Sequence, residues 1–221
     1  MVKVTSSEEE YLERIFRFEE SGRKRVKTTD LAKDLGVSPA SVTEMLSESL
    51  SKKGLVQYTP YKGVKLTQKG KTLASSLMRK HRLAERLLVD VVGVNWDESH
   101  EEACKLEHAL SEEVLEKLDE ALGNPANCPH GNVIPDQDGK AATDDSQPLT
   151  DYEPPSMVEV TRISNERTDL LNQLCSMGIF PGTKLKLVQK TPLGGPVLVN
   201  LGKCQIAVGN DIAKLIRVKP A

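Results

Sequence analysis

Near the amino terminus Tyr11, Leu12, Ile15, Phe16 and Phe18 recur at largely helical spacing, and Ser21 with Gly22 ends the run, which predicts a first helix over 7–20. Thr28 or Thr29 then caps a short helix carrying Leu31, Ala32 and Leu35. Gly36 turns the chain, and Ser38 with Pro39 opens another helix over 39–53. Two helices joined this way are a helix-turn-helix pattern. After Gly54 the apolar alternation of 55–58, the turn Tyr61-Lys62-Gly63 and the return at 64–66 predict a β-hairpin, the wing.

Helical periodicity resumes at Thr67 and runs, with one break near Gly93, to Leu122. Leu83, Leu87, Leu88 and Val91, then Leu106, Leu110, Val114 and Leu118, give two long amphipathic helices. Residues 124–156 hold Pro125, Pro129, Pro135, Pro148, Pro154 and Pro155 among Asp, Asn and Gly, and predict an irregular connector. From Met157 the pattern becomes short strands at 157–163, 183–189, 196–201, 204–208 and 212–218, with one helix at about 166–177. Such strands with Gly-rich turns suggest a small SH3-like barrel. The fold class is therefore mainly α with small β parts: a winged helix-turn-helix over 1–75, a helical domain over 76–136, a linker over 137–156 and an SH3-like barrel over 157–221.

Charge divides the 221-residue chain in the same places, although its net value is only −2. Residues 1–82 hold 17 Lys and Arg against 10 Asp and Glu, residues 83–156 hold 4 against 18, and residues 157–221 hold 9 against 4. A basic first block suits a polyanion, and an acidic second block suits cations. No apolar run reaches the roughly 18 residues that span a bilayer, and the amino terminus lacks the order of a signal peptide. A soluble, cytoplasmic protein is expected. Cys104, Cys128, Cys175 and Cys204 form no CxxC pair, which fits neither a disulfide framework nor a zinc ribbon.

A helix that enters the major groove must present short polar groups near its amino end. Ser38, Pro39, Ala40, Ser41, Thr43 and Glu44 fill that role, with Lys62 at the wing tip. Arg23, Lys24, Arg25, Lys27, Lys52, Lys53, Lys65, Lys69 and Lys71 surround them with phosphate-seeking charge. Winged helices also serve as protein-interaction modules, and the basic charge tips the reading towards double-stranded DNA.

The acidic block carries the second chemistry. His81 and Glu85 stand one helical turn apart, and His100, Cys104, Glu107 and His108 follow at offsets of four, seven and eight. Three of the four histidines thus fall on two successive helices, each with a carboxylate at helical spacing. Imidazole, carboxylate and thiolate together suit mid-series divalent ions better than Mg or Ca, and no Cys/His tetrahedron points to structural zinc. A hydrolase with Cys104 attacking and His108 as base would need an oxyanion loop, and the chain shows no Gly-rich candidate. No enzymatic activity is expected.

The run MRKHRLAERLLVDVVG followed by HEEACKLEH resembles the diphtheria-toxin-repressor family of iron-dependent regulators, and the likeness continues through NCPHGNVIP and a terminal domain similar to ferrous-transport protein A. The resemblance implies two metal ions per subunit. His81, Glu85 and His100 match the ancillary site; Cys104, Glu107 and His108 match the activating site, which the family completes from the first helix at the position of Glu10. Glu13 is a further candidate there, with a surface charge the plainer reading. It also implies a homodimer on a DNA operator with two-fold symmetry, repression on metal binding, and no membrane or organic cofactor. Iron(II) is expected first and manganese(II) second, with Co, Ni or Zn as substitutes; a carboxylate at Glu10 beside a cysteine at Cys104 mixes features of the two sensor types. The alternatives are a manganese-responsive regulator of the same family and a winged-helix regulator sensing a non-metal ligand. From the barrel, Glu166 and Asn165 are the candidates for the ancillary site, and a chain ending near Asp151 is expected to keep metal-activated DNA binding.

Overall fold

A computed structural model describes residues 3–137, 139 and 144–221. It divides into two compact units, one built from the residues up to Lys80 with the short stretch after Ile134, the other from His81–Ile134 and the remainder of the chain. Among the described residues no helix is long and apolar enough to cross a membrane.

The first unit is the winged helix. Its elements are α1 (Ser6–Glu20), α2 (Thr28–Leu35), α3 (Pro39–Glu44) continued by a π-helical turn over Met45–Leu50, β1 (Val56–Thr59), β2 (Gly63–Leu66) and the start of α4 (Gln68–Arg86). Thr5 and Glu8 form a capping box at α1, which satisfies two amide donors that the helix itself leaves open. Leu12, Ile15, Val26, Leu31, Val42, Leu46, Leu50 and Val64 are sealed in one core. Removing a side chain of this size from such a core costs about 2–5 kcal/mol, so Leu12→Ala would strip much of the unit's stability. Gly63 has φ 90°, and a Cβ there would run into the Val26 carbonyl oxygen, with which Val64 pairs. That close approach joins the segment around Val26 to the wing as a third, single-bridge strand.

The second unit holds the end of α4, a π-helical turn over Leu87–Val92, α5 (Ser99–Leu106), a 3-10 turn over Glu107–Ala109 and α6 (Glu112–Ala121). The second long helix expected from periodicity is therefore two helices. Ser111 accepts from the Val114 amide and restarts the chain as a new N-cap, which overrides the apolar spacing of Leu106 and Leu110. The terminal part follows with β3 (Gln147–Pro148), a 3-10 turn over Leu149–Asp151, β4 (Ser156–Ile163), α7 (Thr168–Met177), β5 (Lys184–Lys190), β6 (Val197–Leu201), β7 (Cys204–Val208), α8 (Asn210–Ala213) and β8 (Ile216–Pro220). Its strands run in the antiparallel order β3-β8-β4-β5-β6-β7.

Two expectations change here. The connector at 137–156 lies partly outside the described residues, but its end is structured: Gln147 and Pro148 pair with Val218 and Arg217, and Leu149 is fully buried in the barrel core. The strand expected at 212–218 begins only at Ile216, because Asn210–Ala213 form a helical turn whose Ala213 packs inward.

Candidate functional site

The recognition segment shows a sharp division of faces. Ser38, Pro39, Ala40, Ser41, Thr43 and Glu44 are all exposed, whereas Val42 between them is fully buried. Ser38 caps α3 by accepting from the Ser41 amide at 3.1 Å, and Thr43 donates to the Pro39 carbonyl at 2.9 Å. These bonds hold the polar groups at the helix start, where a base edge would meet them. Lys62 is exposed at the wing.

Not every cation expected to meet phosphate is available. Arg23 pairs with Asp30 at 2.6 Å and lies over the Phe18 ring, Lys53 holds Glu8 at 2.6 Å, and Lys71 lies 3.4 Å from Glu19. Lys52 is paired with Glu48. Among the described residues Lys24, Arg25, Lys27, Lys62, Lys65 and Lys69 have no acidic partner, so they carry the field that a polyanion would feel.

In the second unit α4, α5, the NCPHGN loop and the chain after β4 bring one cluster of metal-ligand side chains together. His81, Glu85 and His130 are fully buried, and His100, Glu107 and Glu166 are at most 5% exposed. His81 spans two carboxylates, Glu107 at 2.6 Å on Nδ1 and Glu85 at 2.9 Å on Nε2. Its Nε2 is also 3.0 Å from Nδ1 of His100. Cys104 Sγ stands 3.9 Å from both His81 and His100, and His108 Nε2 lies 3.4 Å from Glu107. Three donor sets result, each with ligand atoms within 4.8 Å of one another: His81, His100 and Cys104; His81, Glu85, His100 and Glu166; and Glu85, Cys128, His130 and Glu166.

Sequence reasoning places Cys128-Pro-His130 in the irregular connector and in the NCPHGNVIP stretch of the family likeness, but assigns it no ligand, so the third set is one that it misses. A cysteine and histidine two apart in a Pro/Gly loop was the available signal. The loop docks tightly: Gly131 has φ 85°, and a Cβ there would strike the Thr161 carbonyl and lie 2.7 Å from Arg162 Cα. His130 Nε2 donates to the Trp96 carbonyl at 3.0 Å, which leaves Nδ1 to face the acids. That Nδ1 is 3.2 Å from Glu85 Oε1 and 3.7 Å from Glu166 Oε1, yet makes no aligned hydrogen bond, and Glu85 Oε2 is likewise buried without one. An imidazole nitrogen between two buried carboxylates is held there by a proton or, in its place, by a cation.

The electrostatics agree. Burial opposes charge on His81 and His130, but Glu85 above all raises both imidazoles above their usual range. Burial likewise opposes ionised Glu85, and His130 and His81 still hold it well below the usual carboxylate range. Burial together with the charges of Glu85 and Glu166 pushes the Cys128 thiol well up. Cys104 goes the other way: against burial, hydrogen bonds from His100 and His81 bring its thiol to about 6.

Of the barrel candidates, Glu166 joins the cluster, whereas Asn165 Oδ1 accepts from the Arg167 amide. Glu10 is an exposed residue of α1, and Glu13, expected at the surface, is buried because it faces inward one turn on. Away from the cluster, Val91 and Val92 on the turn after α4 and Val114 on α6 are 50–67% exposed.

Sequence profiles of three families match the chain: the iron dependent repressor N-terminal DNA binding domain over 3–64, the iron dependent repressor metal binding and dimerisation domain over 67–136, and the FeoA domain over 147–220. The iron-dependent repressor IdeR of Mycobacterium tuberculosis is 33% identical, with 99% of each chain covered. A manganese-dependent transcriptional repressor in complex with manganese superposes with a TM-score of 0.89 at 31% identity, covering 97% of this chain and all of that one. The crystal structure of T. acidophilum IdeR superposes with a TM-score of 0.84 at 30% identity and full coverage of both chains.

Proposed function

Because the chain belongs to the family of iron-dependent repressors, we propose that occupancy of its buried His, Glu and Cys cluster by a divalent ion switches operator binding on. It is a metal-dependent transcriptional repressor. The finer reading is ours. Iron(II) is the physiological ion and manganese(II) the second choice, because two thiols stand among the donors and thiolates favour iron over manganese. Co, Ni or Zn substitute in vitro. Each subunit holds two ions, and the protein works in the cytoplasm as a homodimer with Val91, Val92 and Val114 in its interface, reading an operator of two-fold symmetry. No catalytic step is assigned to it.

The observation that carries this reading is His130 Nδ1, a buried imidazole nitrogen aimed at two buried carboxylates. It favours Glu85, Cys128, His130 and Glu166 as the set that holds the ancillary ion, with His81 and His100 bordering it. His81 and His100, the ancillary ligands expected from the sequence, share Glu85 and Glu166 with that set, and Glu107 on Nδ1 orients the His81 ring. The activating ion falls to Cys104, Glu107 and His108, with Glu10 as the family resemblance implies. The ion supplies positive charge; the residues set its geometry and exclude water.

The test is operator affinity against free Fe, Mn, Co, Ni and Zn under anaerobic conditions, in the wild type and in His108→Ala, Glu10→Ala and His130→Ala. Loss of metal-induced binding in His108→Ala with the dimer retained is the expected result. Full activation of that variant would remove the activating-site assignment. Metal-stripped protein that binds at full affinity would favour a non-metal ligand.

A further inference from the structure

The wing carries an unusual residue at its tip. Strands β1 and β2 are joined through Pro60, Tyr61 and Lys62, and the Lys62 amide donates to the Thr59 carbonyl at 3.0 Å. A four-residue turn with proline second and a left-handed third residue is a type II turn, whose third position favours glycine or asparagine. Here that position is Tyr61, with φ 63°. The ring gains nothing from the fold in exchange, for the residue is 106% exposed, the full value of an unshielded side chain.

The tip is also held stiffly. Gly63, directly after the turn, packs its Cα against the Val26 carbonyl, and Arg25 donates to the Gly63 carbonyl at 3.3 Å. Lys24, Lys27, Lys62 and Lys65, four cations without an acidic partner among the described residues, lie in the two segments that form this hairpin and its bridge. Backbone strain kept at a rigid, cationic tip in order to display a bare aromatic ring has the mark of a contact that forms only with a partner. A cationic setting selects a polyanion, and an aromatic ring adds what phosphate contacts lack, a flat apolar face for sugars and bases.

We propose that Tyr61 inserts into the DNA minor groove beside the site of α3 and is a specificity-determining contact of the operator complex. A groove about 6 Å wide admits the edge of one ring on a narrow hairpin and excludes a helix. Lys62 and Lys65 then meet the phosphates that border the groove. This contact rests on the DNA-binding reading of α3 and the wing given above.

The experiment compares wild type with Tyr61→Gly and Tyr61→Phe in the full-length, metal-loaded protein. The probe is a duplex selected from a random pool by the metal-loaded wild type, in which single G·C pairs flanking the half-site are changed to inosine·C. That change removes the minor-groove amino group and leaves the major-groove edge intact. Tyr61→Gly relieves the turn, so its melting temperature should equal or exceed that of wild type. Its operator affinity should nevertheless fall by about tenfold or more, and it should lose the response to inosine that wild type shows at one flanking position. Tyr61→Phe should retain most of the affinity. Unchanged affinity in Tyr61→Gly overturns the proposal, and so does a loss of affinity with no inosine response in wild type, which would place the ring on the backbone. If wild type selects no duplex at all, it is the DNA-binding reading that fails, not the role of Tyr61.

Discussion

Asn132 donates to Glu166 Oε1 at 2.6 Å and to the Ile163 carbonyl at 3.1 Å, while its own Oδ1 accepts from Arg162 at 3.2 Å. One buried amide thus ties the NCPHGN loop to the end of β4 and sets the carboxylate that faces His130. A ligand carboxylate held by such a partner loses little entropy when an ion binds, and removing the partner typically weakens metal affinity about 10- to 100-fold.

Glu166→Ala should therefore lower the affinity of the ancillary ion more than Asn132→Ala, and Asn132→Ala should lower it by about tenfold. Direct metal titration of the full chain checks both. Equal affinity in all three proteins would mean that Glu166 is a bystander. The same geometry bears on a chain cut near Asp151: metal-activated operator binding is still expected of it, but without Glu166 it should bind its ancillary ion more weakly than the intact chain.

Most of the winged helix was legible because its period is local. Apolar spacing, the Ser38 cap and the Gly54 and Gly63 turns each act within a few residues, and the structure puts α1, α2, α3, β1 and β2 where those signals lie. His81, Glu85 and His100 were legible for the same reason, since helical offsets place them on facing sides. Cys128 and His130 were not. Their loop has no period, and its position comes from the fit of Gly131 against Thr161 and Arg162, some thirty residues on in the chain. The split between α5 and α6 was hidden too, because a cap at Ser111 interrupts the helix without interrupting the apolar spacing.

Ion preference should follow the thiols. Cys128→Ser replaces a soft donor with a hard one, so the order of activation should move from iron towards manganese, with little change in dimerisation. Operator binding titrated with each ion reads this out. An unchanged order would leave Cys104 as the thiol that decides, and Cys104→Ser is the paired measurement.

Glu8 predicts an acid-sensitive contribution to the first unit. Burial alone would raise its carboxyl, but Lys53, Ser49 and the Thr5 amide outweigh that and bring it from the usual 4.5 to about 2. A depressed folded value gives stability that is complete above the unfolded value and is lost as pH falls from about 4.5 towards 2. Against Glu8→Gln, the wild type should be more stable by about 1–2 kcal/mol at neutral pH, allowing for solvent screening, and the gap should close over that acid window. Denaturant midpoints at a series of pH values test it. A gap that persists at the acid end would assign the effect to shape and not to charge.

Salt should weaken operator binding steeply. With Lys24, Lys27, Lys62 and Lys65 from each of two subunits, on the order of eight phosphates are neutralised, which corresponds to a loss of about 10³–10⁵ in affinity between 50 and 200 mM salt. Lys62→Ala should reduce the slope of log affinity against log salt by about one to two units in the dimer. A slope near zero would place the DNA-binding face elsewhere.

The last prediction uses the chain's single tryptophan as a reporter. The Trp96 ring lies 4.8 Å from the His130 ring and 5.0 Å from Phe180, and its Nε1 donates to the Pro129 carbonyl at 2.9 Å, so it is clasped by the loop that bears Cys128 and His130. An imidazole that keeps a proton on both nitrogens quenches a neighbouring indole more than one whose Nδ1 lone pair is taken up, and the raised affinity of His130 for a proton favours the charged form without an ion. Displacement of that proton by a divalent ion should therefore raise Trp96 emission, most clearly with spectroscopically silent zinc, and chelation should reverse it. His130→Ala should abolish the response while the Cys104, Glu107 and His108 group still titrates by absorbance with cobalt. A change of emission that survives in His130→Ala but vanishes in His108→Ala would show that Trp96 senses the other ion, and the assignment of His130 to the ancillary set would fall with it.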